Sequence, residues 1–130
     1  MTNKDDRPFI RVIDLNKRAL SGKISAPNGT QGIAVSPDGK RVAAMDLADP
    51  VLIVIDPATD KVIDRVPVEG QRKVYKSYFS PDGNRLLTMS SAPKPVNCFD
   101  AANLRGPQQI VNVGKAPMGF GFSPDGNTSW

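Results

Sequence analysis

The chain of 130 residues contains no histidine and only one cysteine, Cys98. The lack of histidine removes the commonest general base, the usual zinc or copper ligand and the usual axial ligand of haem. A single cysteine excludes an intramolecular disulfide and a metal cluster built on thiolates. The sequence also lacks phosphate-binding and dinucleotide-binding motifs. We therefore expect no catalytic residues of the common hydrolase type, no metal site and no cofactor.

Long apolar stretches are also missing. The longest uncharged apolar run covers residues 51–55, whereas a transmembrane helix needs about 20 such residues. The N-terminal segment is polar and charged, without the apolar core of a signal peptide. We expect no membrane span, and the chain as written shows no export signal.

Glycine and proline, by contrast, are abundant, with 11 and 12 residues. Together with many valines and isoleucines, this much turn chemistry favours an all-β protein. The net charge is +4, and the densest basic patch combines Arg72, Lys73 and Lys76 with Tyr75. Such a patch can attract phosphate groups or nucleic acid. We favour a solvated surface instead, and nucleic-acid binding remains an unfavoured alternative.

The sequence repeats itself with a period near 44 residues. The motif S-P-D-G begins at Ser36, Ser80 and Ser123, and aspartates close apolar runs at Asp14, Asp56 and Asp100. Each period contains four short apolar, β-rich runs separated by turn residues, which we name strands a to d. In the middle of the chain they cover residues 32–36, 41–47, 51–56 and 61–68. Residues 118–123 form a further copy of strand a.

A repeat of 40 to 45 residues with four antiparallel strands is typical of a β-propeller blade. We therefore predict an all-β fold made of about three such repeats, approximately residues 1–44, 45–88 and 89–130, in a single propeller segment. By this alignment the chain begins and ends within strand b. The S-P-D-G motif predicts the turn between strands a and b. Pro37 and Asp38 suit a type I turn and Gly39 the left-handed residue after it, which indicates a three-residue hairpin with a bulge.

Two stretches indicate a family. Residues 117–126, PMGFGFSPDG, and the run from TQGIAVSPDG through VLIVIDPATDKVIDRVPV resemble the YVTN-type bacterial β-propeller repeat. The resemblance implies a periplasmic or cell-surface location. Three blades alone would leave sheet edges unpaired, and propellers have about four to eight blades, so we expect this chain to be a fragment that supplies about three blades of about seven. Two alternatives remain open: a dimer that closes a six-bladed ring by self-association, and an open arc of three blades.

For function, the sequence favours a non-catalytic scaffold or interaction module that presents loops and a channel mouth to a protein or small ligand. The alternatives are the propeller part of an enzyme, either lactonase-like or the scaffold subunit of a complex like quinoprotein amine dehydrogenase. The candidate site lies where the repeat is broken, because Lys76 stands where the other copies have Gly32 and Gly119. We expect Lys76 to face the central channel and contact an anionic ligand or partner. The other candidate residues are Gln31, Arg72, Lys73 and Tyr75, with Met118 beside them.

Overall fold

The computed structural model describes residues 8–26, 28–71, 74–90, 96–114 and 117–130. This part of the chain is all-β, as the sequence predicts, and none of its residues lies in a helix; accordingly, it contains no helix that could cross a membrane. Its strands are β1 (Phe9–Asp14), β2 (Ala19–Ser25), β3 (Thr30–Val35), β4 (Val42–Asp46), β5 (Val51–Asp56), β6 (Lys61–Pro67), β7 (Val74–Phe79), β8 (Arg85–Ser90), β9 (Val96–Asp100) and β10 (Gln109–Val111).

The strands form three antiparallel sheets in chain order. The first sheet is the pair β1–β2, the second is β3–β4–β5–β6 and the third is β7–β8–β9–β10. Every strand pairs with its neighbour in sequence, so each sheet is a simple meander. Strands a to d of the repeat correspond to β3 to β6 and again to β7 to β10, while β1 and β2 correspond to strands c and d.

The three S-P-D-G turns have the same hydrogen bonds. In the first, the Gly39 amide donates to the Ser36 carbonyl, and the Ser36 amide donates to the Arg41 carbonyl. Gly39 has φ near 71° and so occupies the left-handed region, as predicted. The prediction of a three-residue loop is wrong, because Ser36 and Arg41 pair across four residues, 37–40. The Asp38 carboxylate accepts the Lys40 amide and the Ser36 hydroxyl accepts the Arg41 amide, which accommodates the extra residue.

The third copy of strand a does not form a strand. Of residues 118–123, only Phe122 makes a bridge, with Ser129. Gly121 and Trp130 exchange both backbone hydrogen bonds just beyond it.

The sheets pack face to face, with the core between them. Side chains on the central strands alternate between the two faces of the sheet, and both faces are buried. On the second sheet, Ala44, Ile53 and Ile55 face the first sheet and pack with Ile10 and Ile24. A second cluster joins the second sheet to the third and contains Ala43, Met45, Leu52, Val54, Val66, Val68, Val74, Leu86, Phe99 and Leu104. The second sheet therefore buries one face against the first sheet and its other face against the third.

Candidate functional site

The first strands of the second and third sheets, β3 and β7, lie against each other. Gly32 in β3 has φ near 72°, and a Cβ on this residue would stand 2.5 Å from the Tyr75 carbonyl oxygen and 2.7 Å from the Cα atom of Lys76. The two backbones therefore approach more closely than any side chain at residue 32 would permit. This contact brings Gln31, which precedes Gly32, to the same part of the surface as Tyr75 and Lys76.

The replacement of glycine by Lys76 changes the local strand pairing. In the second sheet the register between β3 and β4 shifts at Gly32, which is the extra residue of a bulge. In the third sheet the shift lies one position earlier, at Tyr75, and Lys76 pairs regularly with Met89. A lysine avoids the left-handed conformation that Gly32 adopts, so the bulge moves to the preceding residue.

Tyr75 and Lys76 both contact residues 117–118, where the third copy of strand a begins. The Lys76 ammonium donates a hydrogen bond of 2.7 Å to the Met118 carbonyl, and the Tyr75 hydroxyl donates one of 3.3 Å to the Pro117 carbonyl. We call the surface formed by residues 31–32, 75–76 and 117–118 the inner surface. Gln31 and Met118 are exposed there, while Tyr75 and Lys76 are half-buried.

The inner surface unites three of the five site residues predicted from the sequence. Arg72 and Lys73 lie outside the described residues. A bound ligand at Lys76 stays a prediction, and the hydrogen bond to Met118 shows that this side chain also attaches one repeat to the next. An ammonium group has three donors, so this single bond leaves donors available to a ligand.

Sequence reasoning missed a buried carboxylate at Asp46, the last residue of β4. Its side chain is 1% exposed and accepts a 2.6 Å hydrogen bond from the Arg65 guanidinium. Burial acts to raise the pKa of Asp46, but hydrogen bonds from the amides of Asp49 and Ala48 and from the side chains of Asn28 and Arg65 outweigh it and lower the pKa. The ionised Asp46 therefore connects the second sheet to the loops that precede β3 and follow β4, next to the inner surface.

A buried polar network in the third sheet was missed as well. The Asn97 side chain accepts a 2.8 Å hydrogen bond from the Gln71 amide and donates to the Gln108 side chain and the Glu69 carbonyl. Thr88 donates to the Gln71 side-chain carbonyl. The repeat itself could have indicated this network, because the equivalent positions in the second sheet are apolar. Ile53 stands in place of Asn97, and Ala44 in place of Thr88.

The remaining perturbed carboxylates serve turns and contacts between sheets. Hydrogen bonds from Ser36, Ser80 and Ser123 are the main cause of the lowered pKa of the aspartate two positions after each serine. A hydrogen bond from Arg105, in the connection between β9 and β10, likewise lowers the pKa of Asp64 in β6. The described residues include no group of three or more acidic or cysteine side chains placed to hold a metal ion.

A polar groove of about 590 Å³ lies between the first two S-P-D-G turns, at the far end of β3 and β7 from the residues described above. Its lining includes Asp38, Arg41, Asp82 and Ala101. Arg41 donates to the Ala101 carbonyl, and both carboxylates accept serine hydroxyls of their own turns. Each of these polar groups therefore has a partner within the fold.

No family model matches the chain. No curated protein matches it either. Among solved structures it is similar to hydrazine synthase from Kuenenia stuttgartiensis, with a TM-score of 0.78 at 19% sequence identity over 93% of this chain. The chain spans only 34% of that structure's chain. Hydrazine synthase is a complex that contains β-propellers, and at this identity the likeness shows a shared fold and nothing about shared chemistry.

Proposed function

We propose that the sheets are blades of a β-propeller of the YVTN-repeat type, and that the chain acts as a non-catalytic scaffold whose inner surface binds a protein or a small anionic ligand. The similarity to a propeller-containing complex supports the architecture. The repeated a-to-d meander and the three identical turns support the assignment of blades. The resemblance of the repeat also favours a periplasmic or cell-surface location.

The observation that carries the binding function is the position of the residues that break the repeat. Repeated positions are occupied by residues that serve every sheet alike, such as the serine and aspartate of each turn. Tyr75, Lys76 and Gln31 depart from the repeat, and they meet on one surface rather than being scattered. A lysine ammonium, a phenol and an exposed amide together offer donors to an anion and an apolar ring to a partner.

Several features favour a scaffold over an enzyme. The carboxylates with lowered pKa values are engaged in turns, as at Asp82, or in contacts between elements, as at Asp46 and Asp64. A general acid or base usually has a pKa shifted towards neutrality instead. The turn aspartates recur at equivalent positions, as at Asp38 and Asp82, whereas catalytic residues belong to one place in a fold.

The test is binding of defined anionic probes to Lys76→Met, which keeps most of the aliphatic stem and removes the charge. We would measure the dissociation constants of citrate and of an acidic peptide of ten glutamates by isothermal titration calorimetry. The wild-type chain should bind at least one probe, and Lys76→Met should weaken that binding about tenfold, the usual scale for a charged hydrogen bond.

Lys61→Met is the matched control, because it removes the same charge from an exposed residue of β6, away from the inner surface. It should bind the probe as the wild type does. Equal loss in both variants would mean that net charge rather than the inner surface attracts the anion. Absence of binding to either probe in the wild type would overturn the proposal for a small anionic ligand or acidic partner.

A further inference from the structure

The connection between β6 and β7 is longer than its counterparts in the other repeats. Ile24, Val66 and Val111 are equivalent, because each pairs with the residue four positions before the aspartate that closes strand c. Val66 lies 14 positions before the serine of the next S-P-D-G turn, whereas Ile24 and Val111 lie 12 positions before theirs. Two extra residues are therefore inserted just before Lys76, the residue that replaces glycine.

Polar side chains of the third sheet hold this longer connection. Gln108, the residue before β10, donates a 2.8 Å hydrogen bond to the Pro67 carbonyl and accepts one of 3.0 Å from the Glu69 amide. On the next strand, β9, the Asn97 side chain donates a 2.9 Å hydrogen bond to the Glu69 carbonyl. The connection is therefore held first at the outer strand of the sheet and then one strand further in.

Gln71 makes the contacts nearest to β7. It is 4% exposed, it donates a 2.8 Å hydrogen bond to Asn97, and its side-chain carbonyl accepts one of 3.3 Å from Thr88 on β8. Val74, three positions later, begins β7 and pairs with Ser90. Because hydrogen bonds constrain direction as well as distance, this network determines where the connection reaches β7.

An apolar contact takes the place of the network in the second sheet. Ala26, which follows β2, belongs to one buried apolar cluster with Ala44 and Ile53, the residues equivalent to Thr88 and Asn97. The shorter connection between β2 and β3 thus packs on an apolar surface. The two inserted residues, the two buried polar replacements and the exchange of glycine for lysine all occur together, in one repeat.

From this coincidence we infer that Asn97, Thr88 and Gln108 are positioning residues for the inner surface. They fix the course of the connection, the connection fixes where β7 begins, and β7 presents Tyr75 and Lys76. The bulge at Tyr75 comes directly after the first residue of β7, so a displaced connection moves Tyr75 and Lys76 together. Binding groups that are held in place before a ligand arrives need not be ordered when it binds. The role in ligand binding rests on the proposed function, whereas the role in placing β7 does not.

The first test measures backbone hydrogen exchange by mass spectrometry and needs no ligand. Thr88→Val keeps the shape of the side chain and removes the donor to Gln71. It should raise the exchange rate of β7 relative to that of β5 about fivefold, the scale of one buried hydrogen bond. Thr88→Ser keeps the hydroxyl and should keep the wild-type ratio. The ratio to β5 removes any change in the stability of the whole chain.

The second test measures binding of citrate or of the ten-glutamate peptide by isothermal titration calorimetry. Gln71→Met should raise the dissociation constant about three- to tenfold, the cost of ordering a long side chain on binding. A merely structural defect would instead lower the number of sites per chain and leave the dissociation constant unchanged. Added to Lys76→Met, the same substitution should change the dissociation constant less than about twofold, because the network acts through β7 and its lysine.

Ile53→Val is the control, because Ile53 has the position of Asn97 in the second sheet, and it should keep the wild-type dissociation constant. If the wild type binds neither probe, the proposed anion site fails and the exchange ratios alone decide the positioning role. If the wild type binds and Gln71→Met binds equally well, or weakens binding equally with and without Lys76, the positioning role is overturned and the proposed function stands. Equal exchange ratios in Thr88→Val and Thr88→Ser would overturn it whether or not a probe binds.

Discussion

Gly32 in β3 lies directly against the Tyr75 carbonyl in β7, at a distance that leaves no room for a Cβ atom. This contact sets how closely β3 of the second sheet and β7 of the third approach each other. Gly32→Ala should lower the free energy of unfolding by about 2 to 4 kcal/mol, since the new methyl group meets backbone atoms and the residue must keep a left-handed φ. Urea denaturation followed by circular dichroism measures the change.

Gly39→Ala separates the two causes. Gly39 has almost the same φ as Gly32, but a Cβ there would have nothing within 4 Å. Its substitution should cost only the conformational strain, about 1 kcal/mol. If the two variants were destabilised equally, the close approach of β3 to β7 would not contribute to stability.

The turn serines should differ in their contributions to the free energy of unfolding, although their hydrogen bonds are alike. Ser80 is fully buried and Ser123 is half-buried. Ser80→Ala removes the acceptor of the Arg85 amide and the donor to Asp82, and we expect a loss of about 1 to 2 kcal/mol in a buried setting. Ser123→Ala should cost less than half as much, because water can replace the hydroxyl. Equal losses in urea denaturation would contradict the dependence on burial.

Acid should destabilise the protein through the same turns. Because the pKa of Asp82 is lower in the folded protein than the usual 3.8, the unfolded chain takes up the proton first as the pH falls. The stabilisation is complete above about pH 4 and is lost as the pH falls through the folded value. Urea midpoints measured from about pH 6 to about pH 2.5 should therefore decrease at the acid end, and Ser80→Ala, which removes the main cause of the shift, should flatten that decrease.

The sequence predicted the all-β antiparallel character of the fold because the repeat acts at the level of local structure. The serine, aspartate and glycine of the S-P-D-G motif act within six residues, so their turn could be predicted without knowing what lies around it. Except for residues 118–123, the strand runs could be predicted for the same reason, with bounds within a few residues of those observed. The number of blades in a complete ring stays a prediction, since it depends on contacts beyond the described residues.

The candidate site could be predicted less completely from the sequence. Lys76 could be singled out because it breaks the repeat, but its hydrogen bond to Met118 joins residues 42 positions apart. Asp46 and Arg65 are 19 positions apart, and only the register of β4, β5 and β6 brings them together. Local patterns carry no information about such pairs. Comparison of buried positions between repeats would have identified Asn97 and Thr88, because both replace apolar residues.

Asp46 should be important for stability. Asp46→Ala removes the acceptor of the Arg65 guanidinium and of the Ala48 and Asp49 amides in a nearly inaccessible place. We expect a loss of about 2 to 3 kcal/mol at neutral pH, the scale for a buried group with a charged partner. The difference from the wild type should shrink below about pH 4, where protonation of Asp46 weakens the same contacts. A difference that is independent of pH would show that the charge of Asp46 is unimportant.

Asn97 tests whether the third sheet can be returned to the pattern of the second. Asn97→Ile restores the residue found at Ile53, so a purely apolar account of the core predicts a more stable protein. We expect the opposite, a loss of about 2 to 4 kcal/mol, because the buried Gln71 and the half-buried Gln108 side chains each lose a hydrogen bond. Ile53→Val is the control for ordinary packing and should cost about 1 kcal/mol. Urea denaturation of both variants decides between the two accounts. A gain in stability for Asn97→Ile would show that the polar network does not stabilise the contact between the third sheet and the segment that connects β6 to β7.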